Sequence, residues 1–274
     1  MEKISKEYLK EKQYKTTKYL EARIKIHQFT INKFSFHEWI FKNLNLAKMK
    51  NEELKILDIG CGTSEFWKKN INNISEKKIN LVLTDFSDAM VEKAKKNTEN
   101  LKVSNKSYEI ADIENLEKYK NQFDIVLCHN VVYHADNKPK ALSNLHDCLN
   151  ENSESFCSIT TNSEKHMLNV YEIGRKLDKN FPTDRIIDSF TEEKADLLIP
   201  EYFNSEKIVE DEILKVTDTE IMMNYVASGV EPRGIKLKEN FYEEYKEIVE
   251  KEINENGFFK IIKRSPLYIC KKKN

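Results

Sequence analysis

Two glycines and two aspartates are the residues of this sequence best suited to bind a ligand. Gly60 and Gly62 follow the short apolar run Leu54–Ile59 and precede a helix-like segment. Because glycine has no Cβ atom, the backbone of such a strand-to-helix turn can approach a ligand closely. Asp58 stands before the first glycine, and Asp85 ends a second apolar run about 25 positions after Gly60, where a carboxylate can accept both ribose hydroxyls. The pattern predicts a nucleoside-binding site.

Two kinds of nucleoside cofactor fit this turn. The dinucleotide fingerprint G-x-G-x-x-G needs a third glycine where the chain has Glu65, next to the helix N-terminus that would hold a pyrophosphate. A carboxylate there repels phosphates. S-adenosylmethionine (SAM) carries an ammonium, a sulfonium and a carboxylate but no phosphate, so Asp58 can attract its positive end. The charges favour SAM, and an NAD-dependent oxidoreductase is the less favoured alternative.

Two further side chains extend the predicted cofactor site. Phe86, next to Asp85, offers a ring face to an adenine, and Asp112 in Ala111-Asp112-Ile113 could accept a hydrogen bond from the adenine amino group. Each aspartate also has a plain structural explanation. Asp85 could favour a helix N-terminus with Ser87 as its cap, and Asp112 could be an ordinary turn residue. The order of these residues along the chain favours the binding role.

Short apolar runs alternate with helix-like segments through the middle of the chain, which is typical of an α/β protein with a doubly wound parallel sheet. Strands covered on both faces are nearly continuous in apolar residues. The runs are Leu54–Ile59, Ile79–Thr84, Phe123–Cys128 and Ser155–Thr160, and the helix-like segments lie at about 65–73, 87–97 and 139–149.

The alternation stops after the fourth run. Two helix-like stretches, a β-rich segment, a capping box and a last amphipathic helix ended by Asn256-Gly257 are predicted there. The helix-like stretches are Ser163–Asp178 and Thr191–Phe203, the β-rich segment is Lys207–Val216, and the capping box is Thr217–Glu220. Strand-like pieces at Phe258–Ile262 and Leu267–Cys270 follow the last helix. We predict an N-terminal helical cap or lid over residues 1–50 and a cofactor-binding domain over 51–274, with a helical insert at about 163–204 after the fifth strand.

The composition limits which binding partners and which cellular compartment we predict for the protein. Lys and Arg number 45 and Asp and Glu 46, so no net charge draws the chain to nucleic acid or acidic lipid. The five cysteines are widely spaced and never form a C-x-x-C pair, which argues against disulfides and a thiolate metal site. No run approaches the roughly 18 apolar residues of a membrane span. We predict a cytoplasmic protein without a bound metal.

The ordered motifs resemble those of class I SAM-dependent methyltransferases, in particular the bacterial branch related to ubiquinone and menaquinone methyltransferases. The motifs are Leu57–Ser64, Leu83–Met90, Ala111-Asp112 and Phe123–His134, and the likeness extends to Tyr19–Ile24, His27, Thr160–Asn162, His166-Met167 and Phe259–Cys270. The chain departs from the family pattern at Ser64, where a third glycine is usual, and at Glu151–Glu154, where Pro-Gly-Gly is usual.

The resemblance implies a seven-stranded, mostly parallel sheet with an antiparallel last strand, and ligands in the crevice at the strands' carboxyl ends. It implies SAM as cofactor, S-adenosylhomocysteine (SAH) as product and no metal. The implied cofactor residues are Arg23, Asp58, Gly60, Cys61, Gly62, Asp85, Phe86, Met90, Asp112, Ile113, His129 and Asn130.

The implied catalytic residues are His134, Tyr133 and His129. A histidine near the reacting methyl group could take the proton that an attacking hydroxyl or amine loses, although His134 could equally cap a helix or pack. The predicted acceptor-binding residues are Tyr14, Tyr19, His27 and His166. We predict methyl transfer to a small molecule or peptide, with no nucleic-acid or membrane partner. A catalytically silent SAM-binding protein is the alternative.

Overall fold

A computed structural model describes residues 17–74, 78–182 and 186–273. Its α-helices are α1 (Thr17–Lys25), α2 (Phe36–Leu44), α3 (Glu65–Lys69), α4 (Asp88–Asn97), α5 (Lys138–Cys148), α6 (Leu168–Leu177), α7 (Glu192–Tyr202), α8 (Thr219–Val230) and α9 (Phe241–Asn256). Its strands are β1 (Glu53–Ile59), β2 (Lys78–Asp85), β3 (Asn105–Ile110), β4 (Ile125–His129), β5 (Phe156–Thr160), β6 (Phe203–Ile208), β7 (Glu212–Val216), β8 (Phe259–Lys263) and β9 (Leu267–Lys272).

Seven of these strands form one sheet in the order β3-β2-β1-β4-β5-β9-β6. β1 to β5 run parallel, and β9 runs antiparallel to both β5 and β6. The chain moves outward from β1 to β3 and then returns to β4 beside β1, so a crevice opens at the carboxyl ends of β1 and β4. The predicted doubly wound, mostly parallel sheet with an antiparallel last strand is confirmed.

Alternate residues of the central strands supply a hydrophobic core on each face of the sheet. Leu57 and Val126 are buried in one core, while their neighbours Ile56 and Ile125 are buried in the other together with Trp67. Burial on both faces explains why the central strands β1, β4 and β5 are mostly apolar runs in the sequence, unlike the edge strand β3.

The chain divides into two compact units. The small unit comprises the described residues up to Lys33, those of Glu164–Asp188, and Asp211–Arg264. The large unit comprises Phe34–Ser163, Ser189–Glu210 and the described residues from Ser265 onward, and it contains the seven-stranded sheet.

These units differ from the predicted division into residues 1–50, 51–274 and an insert at 163–204. Helix α2 belongs to the large unit because Trp39 and Ile40 are buried in the same core as Leu54. Helix α7 also belongs there, because Ala195 and Ile199 are buried in the core of the opposite face. Helical pattern in the sequence does not reveal which core a helix joins.

The small unit has its own sheet and core. β7 and β8 pair antiparallel, with Glu212 opposite Lys263. Leu214, Val226 and Tyr245 are buried in its core. The predicted β-rich segment Lys207–Val216 is therefore two strands in two sheets, since β6 joins the large sheet and β7 the small one.

Some of the observed helix ends lie where the sequence predicts them, and others do not. Gly257 ends α9 with a φ of 80°, as predicted. The cap of α8 is Asp218, whose carboxylate accepts from the N–H of Ile221 at 3.0 Å, rather than the predicted Thr217. Helix α3 ends at Lys69, earlier than predicted. Among the described residues, no helix is long and apolar enough to cross a membrane.

Candidate active site

The turn after β1 has a backbone that glycine makes possible. Gly60 and Gly62 have φ angles of 67° and 54°, in the left-handed region. A Cβ atom on Gly60 would lie 2.4 Å from a methyl carbon of Val131, whereas a Cβ atom on Gly62 would meet nothing within 4 Å. The turn is thus packed against the β4 loop at Gly60 and faces open space at Gly62. Ser64, at the position where the family has glycine, is also left-handed, with a φ of 58°.

Asp85 ties the end of β2 to this turn. Its carboxylate accepts hydrogen bonds from the N–H of Gly62 at 3.0 Å and from the N–H of Ser87 at 2.9 Å. Burial raises the pKa of Asp85, and the backbone donors, Ser87 first and then Gly62, oppose that rise. The bond to Ser87 lies at the start of α4, where the local explanation placed Asp85, and its ribose-binding role stays a prediction.

Asp58 is buried beside Asp85. Only 4% of its surface is exposed, and its carboxylate accepts a hydrogen bond from the indole Nε1 of Trp67 at 2.8 Å. Burial raises the pKa of Asp58 to about 7, the Trp67 hydrogen bond opposes this, and the charge of Asp85 adds to it. The two carboxylates are thus close enough for the charge of Asp85 to act on Asp58, and a cation bound nearby would offset that repulsion.

The remaining predicted cofactor residues of the large unit lie after β2, β3 and β4. Phe86 is half-buried, and Met90 is buried in the first turns of α4. Asp112 accepts a hydrogen bond from the N–H of Glu114 at 3.0 Å, which makes it a turn residue as well, and Ile113 is buried. Both aspartates after these strands therefore have local backbone partners.

His129, one of the predicted catalytic residues, is the last residue of β4. The Nε2 atom of His129 lies 2.9 Å from the hydroxyl of Ser158, and its ring centroid is 5.2 Å from that of Phe66. Burial, with a smaller effect from His37, lowers the pKa of His129 to about 3. The lowered pKa makes His129 a weaker base than an ordinary histidine, and its catalytic role stays a prediction.

Tyr133 and His134 follow in a short 3₁₀ helix, Val132–His134. Their ring centroids are 4.5 Å apart, and both side chains are half-buried. The carbonyl of Tyr133 accepts from the hydroxyl of Ser189 at 2.8 Å. Like His129, both residues are partly exposed at the end of β4.

Buried polar atoms without a hydrogen-bond partner also occur at the carboxyl ends of β4 and β5. They include the side-chain oxygens of Asn130 and Thr160. Asn130 has a φ of 59°, and its N–H donates to the carbonyl of Thr160 at 3.1 Å. Unsatisfied buried oxygens are costly unless a ligand or water supplies a donor.

The predicted residues Arg23 and Tyr19 lie in the small unit. The guanidinium of Arg23 donates to the carbonyl of Ser228 at 2.7 Å and to its hydroxyl at 3.3 Å. The hydroxyl of Tyr19 donates to Glu231 at 2.9 Å. Both side chains thus bind α8 or its continuation. Tyr14 lies outside the described residues.

The predicted residues His27 and His166 also lie in the small unit. The Nδ1 atom of His27 is 3.0 Å from the ammonium of Lys263, which forms a buried pair with Glu212. The Nδ1 atom of His166 lies 3.1 Å from the carbonyl of Arg264. Since an ammonium can only donate, Nδ1 of His27 accepts, and its Nε2 is the protonated nitrogen.

Sequence reasoning missed two residues that hold the site. Trp67 binds Asp58, and the side-chain amide of Asn97 donates to the carbonyl of Thr63 at 2.7 Å, fixing the turn from α4. Both lie on helices next to the turn, but neither the indole nor the amide stands out in a pattern. Among residues 17–74, 78–182 and 186–273, no group of three or more His, Cys, Asp or Glu could hold a metal ion.

Comparison with known proteins places this arrangement in a family. A family model described as a methyltransferase domain matches residues 50–264. A curated relative, the tRNA U34 carboxymethyltransferase of Campylobacter hominis, is 28% identical over 153 residues, covering 50% of this chain and 52% of the relative. The chain thus spans about half the length of that relative.

Solved structures share the fold. A proposed methyltransferase from Bacillus halodurans superposes with a TM-score of 0.57 at 12% identity, covering 88% of this chain and all of the other (100%). A phosphoethanolamine N-methyltransferase from Haemonchus contortus, solved with SAH and phosphomonomethylethanolamine, has a TM-score of 0.56 at 16% identity, covering 97% of this chain and 59% of the other.

The sheet order and the glycine turn after β1 define the Rossmann-like methyltransferase class of α/β proteins. Because the family model covers most of the chain, the chain belongs to the methyltransferase domain family. The predicted membership of this family of enzymes is confirmed.

Proposed function

We propose that the protein uses SAM to methylate a small molecule or a peptide. The observation that supports this most is the open face of Gly62, whose N–H donates to Asp85, next to the buried carboxylate of Asp58. A ligand that brings both a positive charge and ribose hydroxyls fits that arrangement, because it supplies a counter-charge and two donors at once. A pyrophosphate would add negative charge next to two carboxylates, which disfavours NAD.

The fit can be assigned residue by residue. Asp85 would hold the ribose hydroxyls and Asp58 would attract the cationic end of SAM. Phe86 and Met90 offer apolar surface to the adenine, with Asp112 and Ile113 beyond it, while Asn130 has an unpartnered buried oxygen for a donor. When bound, SAM supplies a methyl group on a sulfonium, which is a strong leaving group.

The protein's own part is then positioning and proton removal. Holding an acceptor in line with a fixed methyl group accelerates transfer by orientation and by exclusion of water. His134 is the proposed proton acceptor, with Tyr133 beside it, and it serves only acceptors that lose a proton as they attack. Tyr19, His27 and His166 remain candidates for acceptor recognition, and Arg23 for the SAM carboxylate.

Calorimetry with SAM, SAH and NADH tests the cofactor. We expect SAM and SAH to bind and NADH not to bind. Absence of SAM and SAH binding at high micromolar ligand would overturn the proposal, and NADH binding alone would favour the oxidoreductase.

Two matched alanine variants test the role of Gly62. Gly62 and Gly234 have φ angles of 54° and 63°, and a Cβ atom would meet nothing within 4 Å at either position. Gly62→Ala and Gly234→Ala should therefore each cost about 1–2 kcal/mol of stability through left-handed strain. Only Gly62→Ala should also weaken SAH binding, because its Cβ occupies the space in front of the turn. Equal binding by the two variants would contradict the proposed site.

Turnover separates an enzyme from a silent SAM-binding protein. SAH formation is measured over a panel of hydroxyl, amine, thiol and peptide acceptors. We expect SAH production with at least one class of acceptor, while binding without turnover across the panel would favour the silent alternative.

A second acceptor class, tRNA, is favoured by one observation, the sequence likeness to a tRNA U34 carboxymethyltransferase. The nearly balanced charge, 45 basic against 46 acidic residues, argues against a strong phosphate-binding surface. Bulk tRNA added to the turnover assay and to a filter-binding assay at two salt concentrations distinguishes the classes. Salt-sensitive binding with SAH formation would establish tRNA in place of a small molecule or peptide.

A further inference from the structure

We infer that Trp67 is a positioning residue for the cofactor, acting through Asp58 by donating to its carboxylate and aiming it at the cationic end of SAM. The inference rests on the proposed function and adds to it a residue that the sequence motifs do not include. Its basis is the hydrogen bond of 2.8 Å from the indole Nε1 to Oδ2 of Asp58.

The buried environment of Trp67 and Asp58 makes the carboxylate depend on this hydrogen bond for stabilisation of its charge. Trp67 is 0% exposed and Asp58 is 4% exposed, so little water is available to solvate the carboxylate. A buried carboxylate is ionised only where donors stabilise its charge. The indole is the side-chain donor that the structure gives to Asp58, and indole N–H has no acceptor capacity, so it stabilises the ionised form in particular.

Other titratable groups near Asp58 do not replace this donor. Asp85, at the end of β2, is a like charge and disfavours ionisation of Asp58. Cys61 on the turn and Cys128 on β4 also face Asp58, and burial raises the pKa of both thiols far enough to keep them neutral near physiological pH. The hydrogen bond from Trp67 thus lowers the pKa of Asp58, whereas burial and the charge of Asp85 both raise it.

Helix α3 is arranged to keep the indole in place. Phe66, next to Trp67, packs edge-on against it with ring centroids 5.1 Å apart, and also against His129 at 5.2 Å. The two aromatic residues of α3 therefore cover side chains from the carboxyl ends of both β1 and β4. Movement of α3 would release Asp58 from its donor.

The test is the pH profile of SAH binding in Trp67→Phe. The phenyl ring keeps apolar bulk but cannot donate, so the pKa of Asp58 rises and the ionised form needed for the SAH ammonium is reached only at higher pH. A hydrogen bond to a charged group corresponds to about one to two pH units, so the midpoint of the affinity profile should move upward by that amount. The loss of affinity should be about tenfold or more near pH 7 and small at pH 9.

The control is Trp39→Phe. Trp39 is the other tryptophan of the chain, is 7% exposed, and stacks on Phe36 with ring centroids 6.0 Å apart. The Trp39→Phe variant should leave the midpoint of the pH profile of SAH affinity unchanged. A loss in Trp67→Phe that is equal at every pH, or no loss, would overturn the inference, because a packing defect alone does not move a titration midpoint.

A second measurement needs neither ligand nor a change at Trp67. In the Trp39→Phe protein, Trp67 is the remaining tryptophan, and its indole emission should titrate with Asp58. We expect that transition to disappear in Trp39→Phe/Asp58→Asn. Persistence of the same transition would overturn the inference even if Trp67→Phe does not fold. Failure of the wild-type protein to bind SAH at any pH would instead overturn the proposed function.

Discussion

At the scale of single residues, His129 and His134 occupy the same end of β4 in different environments. His129 is held by Ser158 and Phe66, and burial first, then His37, lowers its pKa to about 3. His134 lies against Tyr133 with a half-buried ring. A proton acceptor works best with a pKa near the working pH, so the lowered pKa of His129 disfavours that residue in this role.

We predict that His134→Ala lowers turnover by about 10²–10⁴-fold for an acceptor that loses a proton, because that is the usual contribution of a general base. SAH affinity should change little, since the proposed cofactor contacts are made by other residues. Steady-state kinetics and calorimetry measure the two effects. His146→Ala, at another partly buried histidine with an aspartate neighbour, is the control and should retain turnover. Unchanged turnover in His134→Ala would rule out this role.

At the scale of elements, the turn after β1 and the loop after β4 form one packed unit. Gly60 is in the left-handed region with a φ of 67°, and Val131 lies where a Cβ atom of residue 60 would be. Thr84 adds a link from β2, since its carbonyl accepts from the N–H of Cys61 at 2.8 Å. The glycine requirement at residue 60 therefore comes from a neighbouring loop as well as from the backbone.

Gly60→Ala should destabilise the protein by about 2–5 kcal/mol, the sum of left-handed strain and overpacking. Adding Val131→Ala removes the overpacking and should recover part of this loss, leaving the strain. Urea unfolding of the two single variants and the double variant measures the coupling. Strictly additive losses would show that Val131 does not set the requirement.

At the scale of the whole molecule, the buried carboxylates make stability depend on pH. Burial raises the pKa of Asp58 to about 7, with Trp67 opposing the rise and Asp85 adding to it, whereas an unfolded Asp has a pKa of about 3.9. The folded protein therefore binds a proton that the unfolded chain has lost between these values. The stabilisation is present below about pH 4 and is lost as the pH rises through 7.

We predict that Asp58→Asn, which cannot ionise, removes this dependence. The free energy of unfolding of the variant relative to the wild type should increase as the pH rises from 5 to 8, by up to about 1.4 kcal/mol for each unit of pKa difference. Urea unfolding without ligand at several pH values measures it. Lys95→Gln, at an exposed lysine of α4, is a control that should show a constant difference over the same range. A constant difference for Asp58→Asn would contradict the raised pKa.

The sequence by itself determined the apolar parallel strands β1, β2, β4 and β5, the glycine turn, the order of Asp58, Asp85 and Asp112 along the chain, and the resemblance to the methyltransferase family. These features follow from local rules, because burial on both faces produces continuous apolar runs and a tight strand-to-helix turn needs glycine. The same local rules located the end of α9 at Gly257.

Only the tertiary structure decided which segments share a core and which side chains meet. It assigned α2 and α7 to the large unit, separated β6 from β7, placed His129 against Ser158 and joined Trp67 to Asp58. These outcomes depend on contacts between residues far apart along the chain or on the burial that such contacts create. A helical or strand-like pattern specifies that a face is buried, but not which partner buries it.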